Sequence, residues 1–164
     1  MQRRLALASF AALGLSACGF QLRQAPRFGF SALRLAGAGA YVMPALRREL
    51  QIYGLRVITT ADPKDAPDAV VLRVLLDQRE RAVVGQTASG QVRELQLRQR
   101  FRFNLQTHDE RILIDDTELL LERDLSFNET QVLAKDAEEQ LLYRDMTADI
   151  VQQVVRRIAA LDKV

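Results

Sequence analysis

Leu95-Gln96-Leu97-Arg98-Gln99-Arg100-Phe101-Arg102-Phe103-Asn104-Leu105 holds the clearest period-two pattern in this chain. Leu95, Leu97, Phe101, Phe103 and Leu105 alternate with Gln96, Arg98, Arg100, Arg102 and Asn104. Successive strand residues point to opposite faces, so the run predicts a strand with one face on a core and one in water. Strands wetted on one side belong to antiparallel sheets. Upstream, Val70, Leu72, Val74 and Leu76 are expected to share the apolar face of a strand whose polar remainder continues toward Gln86. Downstream, Leu119, Leu121, Leu125 and Phe127 mark a third apolar face. Turns are expected over Gly85 to Gly90 and Thr107 to Arg111. Each strand approaches ~15 residues, or ~50 Å at ~3.3 Å per residue.

Outward from this hairpin pair, a first strand is expected near Ser31–Leu35, followed by the turn Gly37-Ala38-Gly39, which lacks the spacing of a phosphate loop. Val42 to Tyr53 reads as a helix, with Pro44 in its first turn and Gly54 as its stop. Val42, Leu46, Leu50 and Tyr53 form its apolar face, and Arg47, Arg48 and Gln51 its wet one. A strand over Leu55–Thr59 leads into the Asp- and Pro-rich loop Ala61–Asp68. The chain closes on a long helix from Glu129 to Leu161, with Asn128 as N-cap, Gln131 three positions on and Glu129 near the positive end. Its expected apolar stripe is Ala137, Leu141, Ala148, Val151, Val155 and Ile158, and Arg156, Arg157 and Lys163 gather at its negative end. Such a helix spans ~45 Å at 1.5 Å per residue, which matches the strands. The fold expected is α+β: two helices packed on one face of a mainly antiparallel or mixed sheet. Residues 31–164 form that single domain.

The first residues carry a different message. Arg3 and Arg4 precede an apolar run from Leu5 to Leu15, then Ser16-Ala17-Cys18. A basic segment, a short apolar segment and small residues before a cut make an export signal, and the run is about half the ~20 residues a membrane span needs. Leu15-Ser16-Ala17-Cys18 resembles the lipobox of bacterial lipoproteins. Residues 1–17 are thus expected to leave as a signal peptide, and residues 18–30 to serve as a lipidated tether. Cys18 would carry diacylglycerol and an acyl chain, the only non-protein groups expected. One acyl chain binds a membrane marginally and several bind durably. Gly19, rather than Asp, after the cysteine resembles the signal for transfer to the outer membrane. Cys18 is the only cysteine, so no disulfide is possible within the chain.

The chain has 23 basic and 21 acidic residues, and loss of Arg3 and Arg4 leaves the two counts equal, which argues against non-specific nucleic-acid binding. All the basic residues except Lys64, Lys135 and Lys163 are arginine, a residue suited to phosphates and carboxylates, although a GC-rich genome yields the same bias. Catalysis finds no support. The one histidine, His108, falls in a hairpin turn; Asp115 and Asp116 are strand neighbours pointing apart; no metal-ligand set or nucleophile–base pair is present. The polar features that remain are Arg98, Arg100 and Arg102 along one strand, and the Leu133-Ala134-Lys135-Asp136 start of the long helix with Glu138 and Glu139. The arginine ladder reads either as a row of anion contacts or as the ordinary wet face of a sheet. The helix start reads as local charge pairing.

With these pieces placed, the mature chain resembles the LptE family of LPS-assembly lipoproteins. Cys18-Gly19-Phe20-Gln21-Leu22-Arg23 is similar to the family's start, and Glu94 through Phe103 to its central strand. Leu133-Ala134-Lys135-Asp136-x-Glu138-x-x-x-Leu142, then Met146 and Arg156-Arg157, resembles its closing helix, the most specific of the three stretches. The resemblance implies a fold of two helices packed on a four-stranded sheet, and a non-enzymatic outer-membrane lipoprotein that plugs the LptD β-barrel, aids its assembly and contacts lipopolysaccharide. It makes Lys135 a candidate contact for lipid phosphates. A second basic residue of the family precedes a Gly-Gln pair, but here Ala88-Ser89 precede Gly90-Gln91, leaving Arg93 as a possible substitute. The other reading is a stand-alone periplasm-facing lipoprotein that binds a lipid or peptide. The candidate residues are therefore Cys18 for lipidation and Lys135, Arg93, Arg98, Arg100 and Arg102 for lipopolysaccharide.

Overall fold

A computed structural model describes residues 25–59, 69–127 and 132–161. The export signal, Cys18, the start of the tether, the loop Ala61–Asp68 and the expected cap around Asn128, Glu129 and Gln131 lie outside the described residues, as does Lys163. The elements run β1 (Ala32–Gly37), α1 (Met43–Ile52), β2 (Arg56–Ile58), β3 (Val70–Gln86), β4 (Val92–Gln106), β5 (Ile112–Ser126) and α2 (Val132–Ala159). The expected α+β class holds, with one sheet of five strands in the order β2-β1-β3-β4-β5. The fifth is short β2, which pairs in parallel with β1 at the sheet edge. β1 is also parallel to β3, whereas β3, β4 and β5 form an antiparallel meander.

One face of the sheet is roofed by both helices. Leu46 and Leu50 of α1 and Ile150, Val154 and Ile158 of α2 are fully buried against Leu33, Leu72, Phe101, Phe103 and Leu105. The core reaches upstream of Ser31, because Phe28 and Phe30 pack on it, Phe28 within 6.4 Å of the Tyr53 ring centroid. A smaller cluster, Leu95, Leu97, Leu125, Tyr143 and Met146, lies under the first half of α2. Burying one such side chain contributes about 1.5–3 kcal/mol.

Two expectations change. Leu76 does not share a face with Val70, Leu72 and Val74. Val74 stands opposite Phe103 but Leu76 opposite Arg102, so Leu75 is an extra, bulged residue. The parity of β3 reverses there: Leu76 turns to the outer face, and Asp77, Arg79 and Arg81 come under the helices. The stripe on α2 also shifts. Val151, Val155 and Ile158 are buried as expected, but Ala137, Leu141 and Ala148 are exposed, and Tyr143, Met146, Thr147, Ile150 and Val154 take their place. The larger side chains reach down to Leu95, Leu97 and Leu125 across a gap that alanines would leave open.

The reversed strand has an immediate use. Val42, the N-cap of α1, supplies no side-chain cap of its own. Its first turn is instead capped from β3: the backbone N–H groups of Tyr41 and Val42 each donate to Asp77 Oδ2 at 2.9 Å, and that of Met43 at 3.4 Å. A helix start has unpaired N–H groups and a positive dipole end, and one carboxylate answers both. Gly39 makes room for it, since a Cβ there would lie 2.7 Å from Asp77 Oδ2. Gly37, with φ of 95°, brings β1 against β3 so closely that a Cβ would meet the Val74 carbonyl oxygen at 2.3 Å. Replacing Asp77 with Ala is expected to destabilise the fold by about 1–2 kcal/mol, with Asp77→Asn losing less because it keeps an acceptor. Chemical denaturation of both variants measures this, and equal losses would show that cap geometry is not the cause.

Candidate functional site

The arginine ladder lies on the outer face of the sheet, away from both helices. Arg98 stands between Glu80 and Glu122, Arg100 between Gln78 and Leu120, and Arg102 between Leu76 and Glu118 in the strand register. Arg98 Nε meets Glu122 at 2.9 Å and Arg98 Nη2 donates to Gln96 at 2.7 Å. Arg100 donates through Nε and Nη2 to Glu118 Oε1 at 2.9 and 2.8 Å and lies 3.6 Å from Glu80. The Glu118 hydrogen bonds hold the Arg100 guanidinium above its ordinary range. Asn104 donates to Asp116 at 2.8 Å in the same layer. Arg98 and Arg100 are thus already matched with carboxylates, and only exposed Arg102 makes no ion pair among the described residues. Solvent screens exposed pairs of this kind and makes them weak, so the layer is a hydrated charged face more than a stability device.

Lys135 occupies a different place. Its Nζ donates to Glu138 Oε2 at 2.8 Å and to Ser126 Oγ at 3.1 Å, fastening the first turns of α2 to the end of β5. Its side chain is only 15% exposed. Ser126 stands opposite Glu94 in the sheet, and exposed Arg93 beside it is the extra residue of a bulge, since Gly85 pairs with Glu94 and Gln86 with Val92. The Arg93 carbonyl accepts the Phe127 N–H at 2.8 Å, which closes the same corner. The fold therefore brings Lys135 and Arg93 to one end of the sheet, and spreads Arg98, Arg100 and Arg102 along the outer face of β4. Cys18 lies outside the described residues.

His108 is exposed in the hairpin that joins β4 to β5. Beside it the Thr107 hydroxyl donates to the Asp109 carboxylate and holds that carboxyl below its usual range. Among the described residues, no group of three or more His, Cys, Asp and Glu side chains is placed to hold a metal, and no helix is long and apolar enough to cross a membrane.

The pattern-based reading missed a polar network under α2. The Arg79 guanidinium lies between the rings of Tyr41 and Tyr143, 4.5 and 4.6 Å from their centroids, and Nη2 donates to Thr147 Oγ1 at 3.2 Å. Thr147 Oγ1 is 3.1 Å from Oε1 of fully buried Gln99, and the Tyr143 hydroxyl donates to the Glu80 carbonyl at 2.7 Å. Burial first, and Glu139 second, push the Tyr143 phenol up, so it stays a donor. One signal was legible. Gln99 occupies an apolar position of the alternating strand, a place where a polar group needs a partner from above.

Comparison with known proteins agrees with this architecture. The family model described as LptE, lipopolysaccharide-assembly, matches residues 25–158. The solution structure of an uncharacterized lipoprotein B from Nitrosomonas europaea is similar at a TM-score of 0.71 and 32% identity, covering 87% of this chain and 91% of that one. The crystal structure of rare lipoprotein B from Shewanella oneidensis gives a TM-score of 0.64 at 21% identity, over 79% of this chain and 94% of that one. A minor lipoprotein from Acinetobacter baumannii gives 0.61 at 22%, over 80% and 92%; these last two likenesses concern the fold alone. No curated protein matches the chain. On the family match and the shared fold together, this chain belongs to the LptE family and is a non-enzymatic outer-membrane lipoprotein of lipopolysaccharide assembly.

Proposed function

We propose that this protein forms a complex with the LptD β-barrel as its plug and assembly partner, and helps insert lipopolysaccharide into the outer membrane. The observation that carries the reading is the outer sheet face, whose charges are matched in plane from Glu80 through Arg98 and Arg100 to Glu118 and Glu122. The lumen of a large outer-membrane barrel is polar and hydrated. With Arg98 and Arg100 already neutralised, this face brings few unpaired ions into such a lumen, and an unpaired ion there stays hydrated or meets a group of opposite charge. Lipid on Cys18 anchors the chain to the membrane beside the barrel.

Lys135, with Arg93 at the same corner, contacts the phosphates of lipopolysaccharide in this reading. The contact must compete with Glu138, which already pairs with Lys135. Arg102, free of an ion pair among the described residues, is the member of the ladder most open to an added anion.

A mild-detergent pull-down of tagged protein from outer membranes, with mass identification of what co-purifies, is expected to recover a large β-barrel in one-to-one amount. Recovery of the lipoprotein alone would favour a stand-alone binding module. Lys135→Glu is expected to weaken lipopolysaccharide binding several-fold, more at low salt than at high, with barrel association retained. Lys135 is only 15% exposed and the replacement sets a second carboxylate beside Glu138, so the melting temperature of the same variant is measured alongside, to separate lost binding from lost folding. Binding measured on immobilised lipopolysaccharide at two ionic strengths checks this, and an unchanged affinity would remove Lys135 from the site.

A further inference from the structure

The exposed stripe on α2 that the core does not use faces α1 across an open groove of ≈ 550 Å³. Leu141 is 45% exposed and Tyr41 42%, and both line it, with small alanines of the two helices forming the floor. Arg48 of α1, Arg79 of β3 and Arg144 of α2 line the same groove, and no carboxylate does. Arg79 is held in place by the Tyr41 and Tyr143 rings and by Thr147, and makes no ion pair among the described residues. Its Nε is buried without a hydrogen-bond partner among the described residues. Arg48 has no ion pair among the described residues either, and the nearest acid to Arg144 is exposed Asp145, a sequence neighbour at 3.8 Å. Three arginines with weak or no counter-charge therefore line one cleft, together with Tyr41, Leu141 and three alanines. Arginine forks suit phosphate oxygens, and the Arg79 guanidinium is fixed in place before any ligand arrives.

We propose that this inter-helix groove is an anionic-amphiphile site, taking the phosphate of a lipid headgroup on Arg48, Arg79 and Arg144 and the first methylenes of its tail against Tyr41 and Leu141. The groove size falls within the range of small-molecule sites. It is separate from the corner of Lys135. That residue faces Ser126 of β5, whereas Leu141 and Arg144 face α1 on another side of the helix. The assignment does not depend on the barrel reading, since every group in it belongs to this chain.

The chain has no tryptophan and three tyrosines, of which Tyr41 and Tyr143 flank Arg79, so its intrinsic tyrosine emission reports on the groove. The test titrates dodecyl phosphate into the full lipidated chain held in dodecyl maltoside micelles. A saturable change in emission is expected. In the double variant Arg48→Gln with Arg144→Gln the affinity should fall by about tenfold or more, as loss of two charged hydrogen-bonding partners implies. Both positions are exposed, so the circular dichroism and melting temperature should stay unchanged; Leu141→Gln, also at the surface, tests the tail contact separately. Inorganic phosphate at the same concentration, and extra dodecyl maltoside, should each fail to reproduce the change. No saturable response, or an unaltered affinity in the double variant, would overturn the site. An equal response to inorganic phosphate, or an unaltered affinity in Leu141→Gln, would overturn its assignment to a lipid. Barrel recovery in the pull-down is independent of all these outcomes.

Discussion

One extra residue, Leu75, arranges the interior of this protein. Before it, β3 presents Val70, Leu72 and Val74 to the core; after it, the same side of the strand presents Asp77, Arg79 and Arg81. Without the bulge those three charges would sit on the outer face, and the first turn of α1 would have no cap. With it, the Asp77 carboxylate collects the N–H groups of Tyr41, Val42 and Met43, and Arg79 becomes the post on which Tyr41, Tyr143 and Thr147 rest. A single register shift thus docks α1 at its start and α2 at its middle.

The sheet consequently has two chemistries on its helix side. Where β1, β3 and β4 lie beneath both helices the contacts are Leu, Val and Phe; farther along, Gln99, Arg79 and Thr147 interrupt the apolar layer before Leu95, Leu97, Tyr143 and Met146 resume it. Buried polar groups cost more when unsatisfied than they contribute when paired. The Nε2 of Gln99 and the Nε of Arg79 have no partners among the described residues, so this middle belt contributes less to stability than the clusters on either side. It also opens toward solvent between the helices, which is the geometry expected of a surface kept for contact rather than for packing.

The outer face works by a different rule. Its ion pairs are exposed and individually weak, and they give Arg98 and Arg100 each a carboxylate in a neighbouring strand while leaving Arg102 without one among the described residues. Such a face neither drives association by burying apolar area nor resists confinement in a polar space. For a lipoprotein of lipopolysaccharide assembly this suits a long, loosely solvated contact, with Lys135 and Arg93 held apart at one corner of the domain.

Much of this was readable in the residues. The alternation from Leu95 to Leu105 determines which face of β4 is buried, because strand geometry offers side chains only two directions. Leu46 and Leu50, at helical spacing, determine the buried face of α1 for the equivalent reason, and the stretch around Lys135 carried the family. Only the tertiary structure decided the parity of β3 beyond Val74, since a bulge leaves no periodic mark where apolar Val74, Leu75 and Leu76 run together. It also decided which stripe of α2 is core: Ala137, Leu141 and Ala148 fit the helical period as well as Tyr143, Met146 and Ile150 do. The choice fell to the side chains long enough to fill the space above Leu95, Leu97 and Leu125, and that space exists only once β4 and β5 are paired.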